Sequence, residues 1–167
     1  ASGAARYPVL RGDEPGLAGV RRVVFDRAHA DPETPKSDAM FADMLARHKG
    51  KVWLGVAPTI EVGFQRVDEM IPLPEFRKSA NLAAMNGRAN LFGLSVIFPT
   101  SIDVRGSNPF SISAVLAEYD GPRRLYRPDS AFDPSTVPSF SYDDVLNGRV
   151  PAAELRGKNV VTTAGTT

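Results

Sequence analysis

The chain has 167 residues, 43% of them hydrophobic and 23% charged, which is the make-up of one folded domain and not of a disordered segment. Twenty basic residues balance 19 acidic ones, so no general field draws a polyanion, and nucleic-acid binding is not expected. With no cysteine there is no disulfide, thiol nucleophile or thiolate metal site, and no apolar run approaches the roughly 20 residues that span a bilayer.

Residues 1–18 hold no recognisable element, and Ala1-Ser2-Gly3-Ala4-Ala5 reads as a trimmed end. From Gly19 onward, strand-like and helical runs alternate. That pattern predicts a single-domain α/β sandwich with a central mixed sheet flanked by helices. Val23-Val24-Phe25-Asp26 is a β-branched run ending in a polar residue. Thr34-Pro35 is a cap followed by proline at the first helical position, predicting a helix to about His48 that stops at Gly50. Met40, Met44 and His48, flanked by Phe41 and Leu45, form its predicted inward face.

Lys51 to Ala57 predicts a buried strand ended by Pro58, and a loop then leads through Asp68 to Pro74. Pro74 opens a predicted helix with Phe76, Ala80 and Ala83 inward, closed by Met85-Asn86-Gly87. Ala89 to Phe98 is the longest apolar stretch, with Gly93 marking a bend, and Ile102-Asp103-Val104 follows as a short strand. Asn108-Pro109 repeats the cap-and-proline pattern and predicts a helix through Tyr119. Arg123 to Arg127 predicts a strand, and Pro128 to Pro138 a loop. Ser141-Tyr142-Asp143-Asp144 fits a capping box on a short helix ending at Asn147-Gly148, and Val160 to Ala164 predicts the last strand.

Catalytic chemistry has few carriers. Gly157-Lys158-Asn159 precedes a strand instead of joining a strand to a helix, so it is no phosphate loop, and no Gly-x-Gly-x-x-Gly fingerprint occurs. The two histidines are His29 and His48, and no Gly-x-Ser-x-Gly elbow accompanies either. His48 is expected to pack. Val-Val-Phe-Asp ending at Asp26 resembles an aspartyl phosphotransferase start of the haloacid dehalogenase type. The general acid of that family is replaced here by Ala28. Asp26, His29 and Asp31 are the candidate ligand-binding residues, and together they have the donor types for a divalent cation. The simpler alternative is that Asp26 bonds loop amides and Asp31-Pro32 starts a turn. No catalytic residue, cofactor or dedicated metal site is assigned.

The last third carries a family resemblance. Pro138-Ser139-Phe140-Ser141-Tyr142-Asp143-Asp144-Val145-Leu146-Asn147-Gly148-Arg149-Val150-Pro151 precedes Glu154-Leu155-Arg156-Gly157-Lys158 and a strand ending at Gly165. This order resembles the terminal signature of the second type of CHASE domain, the cyclases/histidine kinases associated sensory extracellular family. Gly19 to Asp26, Ala30-Asp31-Pro32 and Leu73-Pro74-Glu75 are similar more weakly, so the resemblance covers residues 19–167. It departs at residues 1–18, in lacking an Asp-x-Asp-Gly-x-x-Arg-like turn near Leu91 to Thr100, and at Thr162-Thr163.

The resemblance implies a periplasmic sensory domain of a bacterial inner-membrane protein, joined by flanking transmembrane segments to a cytoplasmic output domain. That output is a diguanylate cyclase (GGDEF) or phosphodiesterase (EAL), or else a histidine kinase or adenylate cyclase. The partner is an unidentified small-molecule or protein signal, with a homodimer as a further expectation and no nucleic acid. Two alternatives stand beside it: a small metal-dependent hydrolase or phosphotransferase using Asp26, and a dimerisation module without a ligand.

Overall fold

Hydrophobic β-branched runs set the centre of the structure. A computed structural model describes residues 19–62, 65–85, 97–128, 131 and 133–163; Gly93 and most of the Ala89–Phe98 run lie outside them. The central sheet has four strands: β1 (Arg22–Phe25), β2 (Val52–Val56), β5 (Asn81–Ala84) and β8 (Asn159–Thr162). Their order is β5-β2-β1-β8, and every pairing is parallel. Two antiparallel ribbons stand apart from it. One joins β3 (Ile60–Val62) to β4 (Gln65–Val67), the other β6 (Phe98–Pro99) to β7 (Leu125–Tyr126). The α/β class therefore stands, with antiparallel pairing confined to the ribbons.

Parallel sheets need cover on both faces, and this one has it. On one face Val23, Phe25, Val52 and Leu54 pack against Phe41, Met44 and Leu45 of helix α1 (Pro35–Arg47) and Phe76 of α2 (Pro74–Arg77). Val150 and Leu155, the latter from α5 (Ala152–Leu155), close that cluster. On the other face Val24 and Ala83 meet Val115 of α3 (Ile112–Leu116), with Trp53, Phe110 and Leu116 packed around them. Each fully buried Val, Leu, Met or Phe among them contributes about 1.5–3 kcal/mol relative to exposure.

The Thr34 cap is present: its hydroxyl accepts from the Ser37 amide at 3.1 Å, and Pro35 occupies the first turn. The inward face of α1 differs from the expected one. Phe41, Met44 and Leu45 are buried, whereas Met40 is 42% exposed. Phe41 decides the rotation, because its ring meets Phe25 and Phe76 edge-on at 5.9 and 4.9 Å. That contact turns Met40, one position back, toward solvent.

The largest correction concerns residues 74–85. The predicted helix ends after one turn at Arg77, and Asn81–Ala84 is strand β5, paired with β2 from Trp53↔Asn81 to Val56↔Ala84. Alanine favours helix only weakly against the ladder that β2 offers. A small side chain at Ala83 also lets Val115 of α3 lie close above it. Close approach recurs at Gly55 of β2, where a Cβ would come within 2.5 Å of the Met85 sulfur.

Other corrections are smaller. The segment after Pro58 contains the β3–β4 hairpin, not only a loop. Asn108-Pro109 does not start a helix: the Pro109 carbonyl accepts from the Ile102 amide, and α3 begins after Ser111, whose hydroxyl caps the Ala114 amide. Ile102-Asp103-Val104 forms only isolated bridges, Ser101↔Phe110 and Val104↔Ser107, and the strand near Arg123 shrinks to Leu125–Tyr126. Pro134–Thr136 makes a single 3-10 turn within the expected loop. Helix α4 (Tyr142–Leu146) follows Ser141 without a side-chain cap. Asp144 instead accepts from Arg149 Nε at 2.5 Å, a charged donor replacing the expected amide. The helix stops as expected at Gly148, whose φ of +66° suits glycine.

Candidate crevice at the carboxyl ends of the strands

Because all four central strands are parallel, their carboxyl ends share one edge. The chain leaves β1 toward β2 on one side and returns later to β8 on the other. The connections thus reverse between β1 and β8, the position where open α/β sheets leave a crevice for ligands.

Two backbone bonds fix the loop there. The Asp26 amide donates to the Thr162 carbonyl at 3.0 Å, and the Arg27 carbonyl accepts from the Gly55 amide at 3.1 Å. Asp26 and Arg27 are exposed, and so is Thr163 at the end of β8. Asp26, bonded to β8, and Thr163, the residue after β8, therefore lie at the reversal point, while the Arg27 backbone is bonded toward β2. Arg27 and Thr163 were missed by sequence reasoning. The available signal was that they directly follow apolar strands, but the adjacency of β1 and β8 was needed to use it.

The candidate trio separates. Asp26 and Asp31 are at the surface, while His29 turns into the core with 4% exposure. Its backbone is left-handed (φ 49°), and its carbonyl accepts from the Leu73 amide at 3.2 Å. Its ring lies 4.8 Å from Phe41 and edge-on to Phe25 at 5.6 Å. Burial, helped by the charge of Arg27, lowers its pKa to about 4, so the imidazole is neutral near pH 7. Among the described residues no group of three or more His, Asp or Glu side chains could hold a metal ion. His29 acts as a packing residue that braces the loop carrying Asp26.

The N-terminus of α1, on the same loop, is already occupied. The Glu33 amide donates to Asp38 Oδ1 at 3.2 Å, and the Ser37 hydroxyl donates to the Glu33 carboxylate. His48 is half-buried at the far end of α1, its pKa lowered by burial and by Arg47 and Lys51. The basic stretch near β7 has structural duties: Arg123 lies over Phe110 and Arg124 over Tyr119.

The opposite, amino end of the sheet is a support. Arg22 Nη1 donates to the Val115 carbonyl at 2.7 Å and its guanidinium lies over Trp53, while Asn159 Nδ2 donates to the Leu116 carbonyl at 2.7 Å. Asn159 thus supplies a donor to the last-turn Leu116 carbonyl, while Arg22 adds a second donor to a Val115 carbonyl that already accepts from the Glu118 amide. Among the described residues no helix is long and apolar enough to cross a membrane. No protein-family model, no curated protein and no solved structure matches this chain.

Proposed function

We propose that the chain is a sensory domain that binds a small polar ligand in the β1–β8 crevice. In this proposal it resembles the second type of CHASE domain and lies outside the cytoplasmic membrane of a bacterium. Its occupancy regulates a cytoplasmic output, a diguanylate cyclase or phosphodiesterase, or else a histidine kinase or adenylate cyclase.

One observation carries the reading. The stretch with the family resemblance, residues 138–163, contains β8, which pairs with β1 at the reversal point, and the amide of exposed Asp26 is bonded to the Thr162 carbonyl at the end of that strand. A ligand bridging these groups touches β8 directly, so binding is coupled to the segment that the resemblance places on the path to the membrane. Such coupling transmits a signal only where the ligand prefers one of two states of that segment.

Two measurements test it. The parent gene is expected to encode a hydrophobic span on either side of this segment and an output domain beyond one of them; a parent without such spans would sink the reading. A thermal-shift screen of small zwitterions and anions is expected to yield a stabiliser. At one hundred times its Kd it adds about 2.7 kcal/mol, lost in Asp26→Asn and Arg27→Ala. A stabiliser equally effective on both variants would move the site elsewhere.

A further inference from the structure

The two edges of the central sheet are treated differently. Beyond β5 the chain folds back, with the Ala84 amide donating to the Phe110 carbonyl at 2.8 Å and an Ala84↔Ser111 bridge covering that edge. Beyond β8 no further strand pairs among the described residues. Natural edge strands discourage pairing with lysine, proline or a bulge. Asn159-Val160-Val161-Thr162-Thr163 has no charge and no proline, and its register against β1 is unbroken from Asn159 to Thr162.

Hydrogen-bond direction alternates along a strand, which fixes the residues of β8 that face away from β1. The Thr162 carbonyl accepts from Asp26 and thus faces β1. By alternation Val160 also faces β1, while Asn159, Val161 and Thr163 aim their N–H and C=O groups outward. The side chain of Val161 is anomalous as well. It is in register with Val24, which is fully buried, yet Val161 is 43% exposed because α3 does not reach over it.

We propose that β8 pairs antiparallel with β8 of a second copy of this chain, about a two-fold axis through Val161. The outward pattern is self-complementary about that residue: Val161 meets Val161, and Asn159 meets Thr163, in both directions. Each of these is a hydrogen-bonded pair exchanging two backbone bonds, and the axis is perpendicular to the sheet, so like faces stay together. The two exposed valines become direct cross-strand neighbours, and no like charges are opposed. The result is a continuous eight-stranded sheet with the two crevices on separate protomers. The pairing is independent of the sensory proposal, since it needs neither a ligand nor a membrane.

Sedimentation equilibrium of the 167-residue chain, up to about 1 mM so that even a contact worth about 4 kcal/mol registers, is the test. The wild type is expected to approach twice the monomer mass reversibly. Val161→Lys and Val161→Glu, each opposing like charges across the axis, are expected to weaken association at least about tenfold. Their equimolar mixture is expected to recover the dimer, because Lys then faces Glu. Val161→Pro removes only an outward donor and is expected to be monomeric with its fold retained; the charge pair decides the matter should that variant misfold. A wild type that stays monomeric throughout, a lysine variant that dimerises undiminished, or a mixture that fails to recover would each overturn the proposal.

Discussion

His29 should make the stability of this domain fall as pH drops through the weakly acidic range. Its ring is packed between Phe25 and Phe41, with a pKa of about 4 against 6.5 for the free side chain. Above pH 6.5 the imidazole is neutral in both folded and unfolded chains, and its ionisation costs nothing. Below 6.5 the unfolded chain binds a proton that the folded chain refuses, so the unfolded state gains. From those two pKa values the loss between pH 7.5 and 5.0 is about 2 kcal/mol, rising to about 3 kcal/mol near pH 4. Because the ring is 4% exposed, solvent screening reduces this little. The comparison protein is His29→Asn, since asparagine tolerates the left-handed backbone at this position and does not titrate. The variant also loses ring packing, which lowers its stability by a similar amount at every pH. His48 and the carboxylates titrate in both proteins and cancel. Urea unfolding followed by Trp53 fluorescence at pH 7.5 and 5.0 reads the difference. The wild type should lose about 2 kcal/mol more than the variant over that interval. Equal losses in the two proteins would refute the assignment of His29 as a buried neutral residue.

Further outcomes follow from the packing. Phe76→Ala should cost about 3–5 kcal/mol by urea unfolding, because this fully buried ring joins α2 to Phe41 across the core. Gly55→Ala should cost about 1–3 kcal/mol, since its Cβ would press on Met85 and on the Arg27 amide; a double-mutant cycle with Met85→Ala should show clear coupling between the sites. Thr34→Ala should cost about 1 kcal/mol through loss of the α1 cap, while Thr34→Ser should retain most of it. Arg22→Met keeps the apolar stem over Trp53 but removes the charged donor to the Val115 carbonyl, which then holds only its bonds to the amides that follow α3. It should lower stability by about 1–2 kcal/mol, and hydrogen exchange should rise first in α3.

The sequence by itself determined the α/β class, the strands β1 and β2 with their run of apolar residues, the Thr34-Pro35 start of α1, and the Asn147-Gly148 stop of α4. Each depends on signals within a few residues of each other: β-branched runs, a cap beside a proline, a glycine in the left-handed region. It also located the loop of interest, because a polar residue directly after a buried strand is visible in Val-Val-Phe-Asp. Only the tertiary structure decided the rest. Asn81–Ala84 became a strand because β2 offered a ladder that outweighed a weak helical preference. Met40 faced solvent because Phe41 met two other aromatic rings. His29 left the company of Asp26 and Asp31 because the loop turns inward after Arg27, and the end of β8 came beside Asp26 because β8 returns beside β1. Those outcomes rest on neighbours tens of residues away, whose pairing free energies exceed the few tenths to one kcal/mol that local propensity supplies.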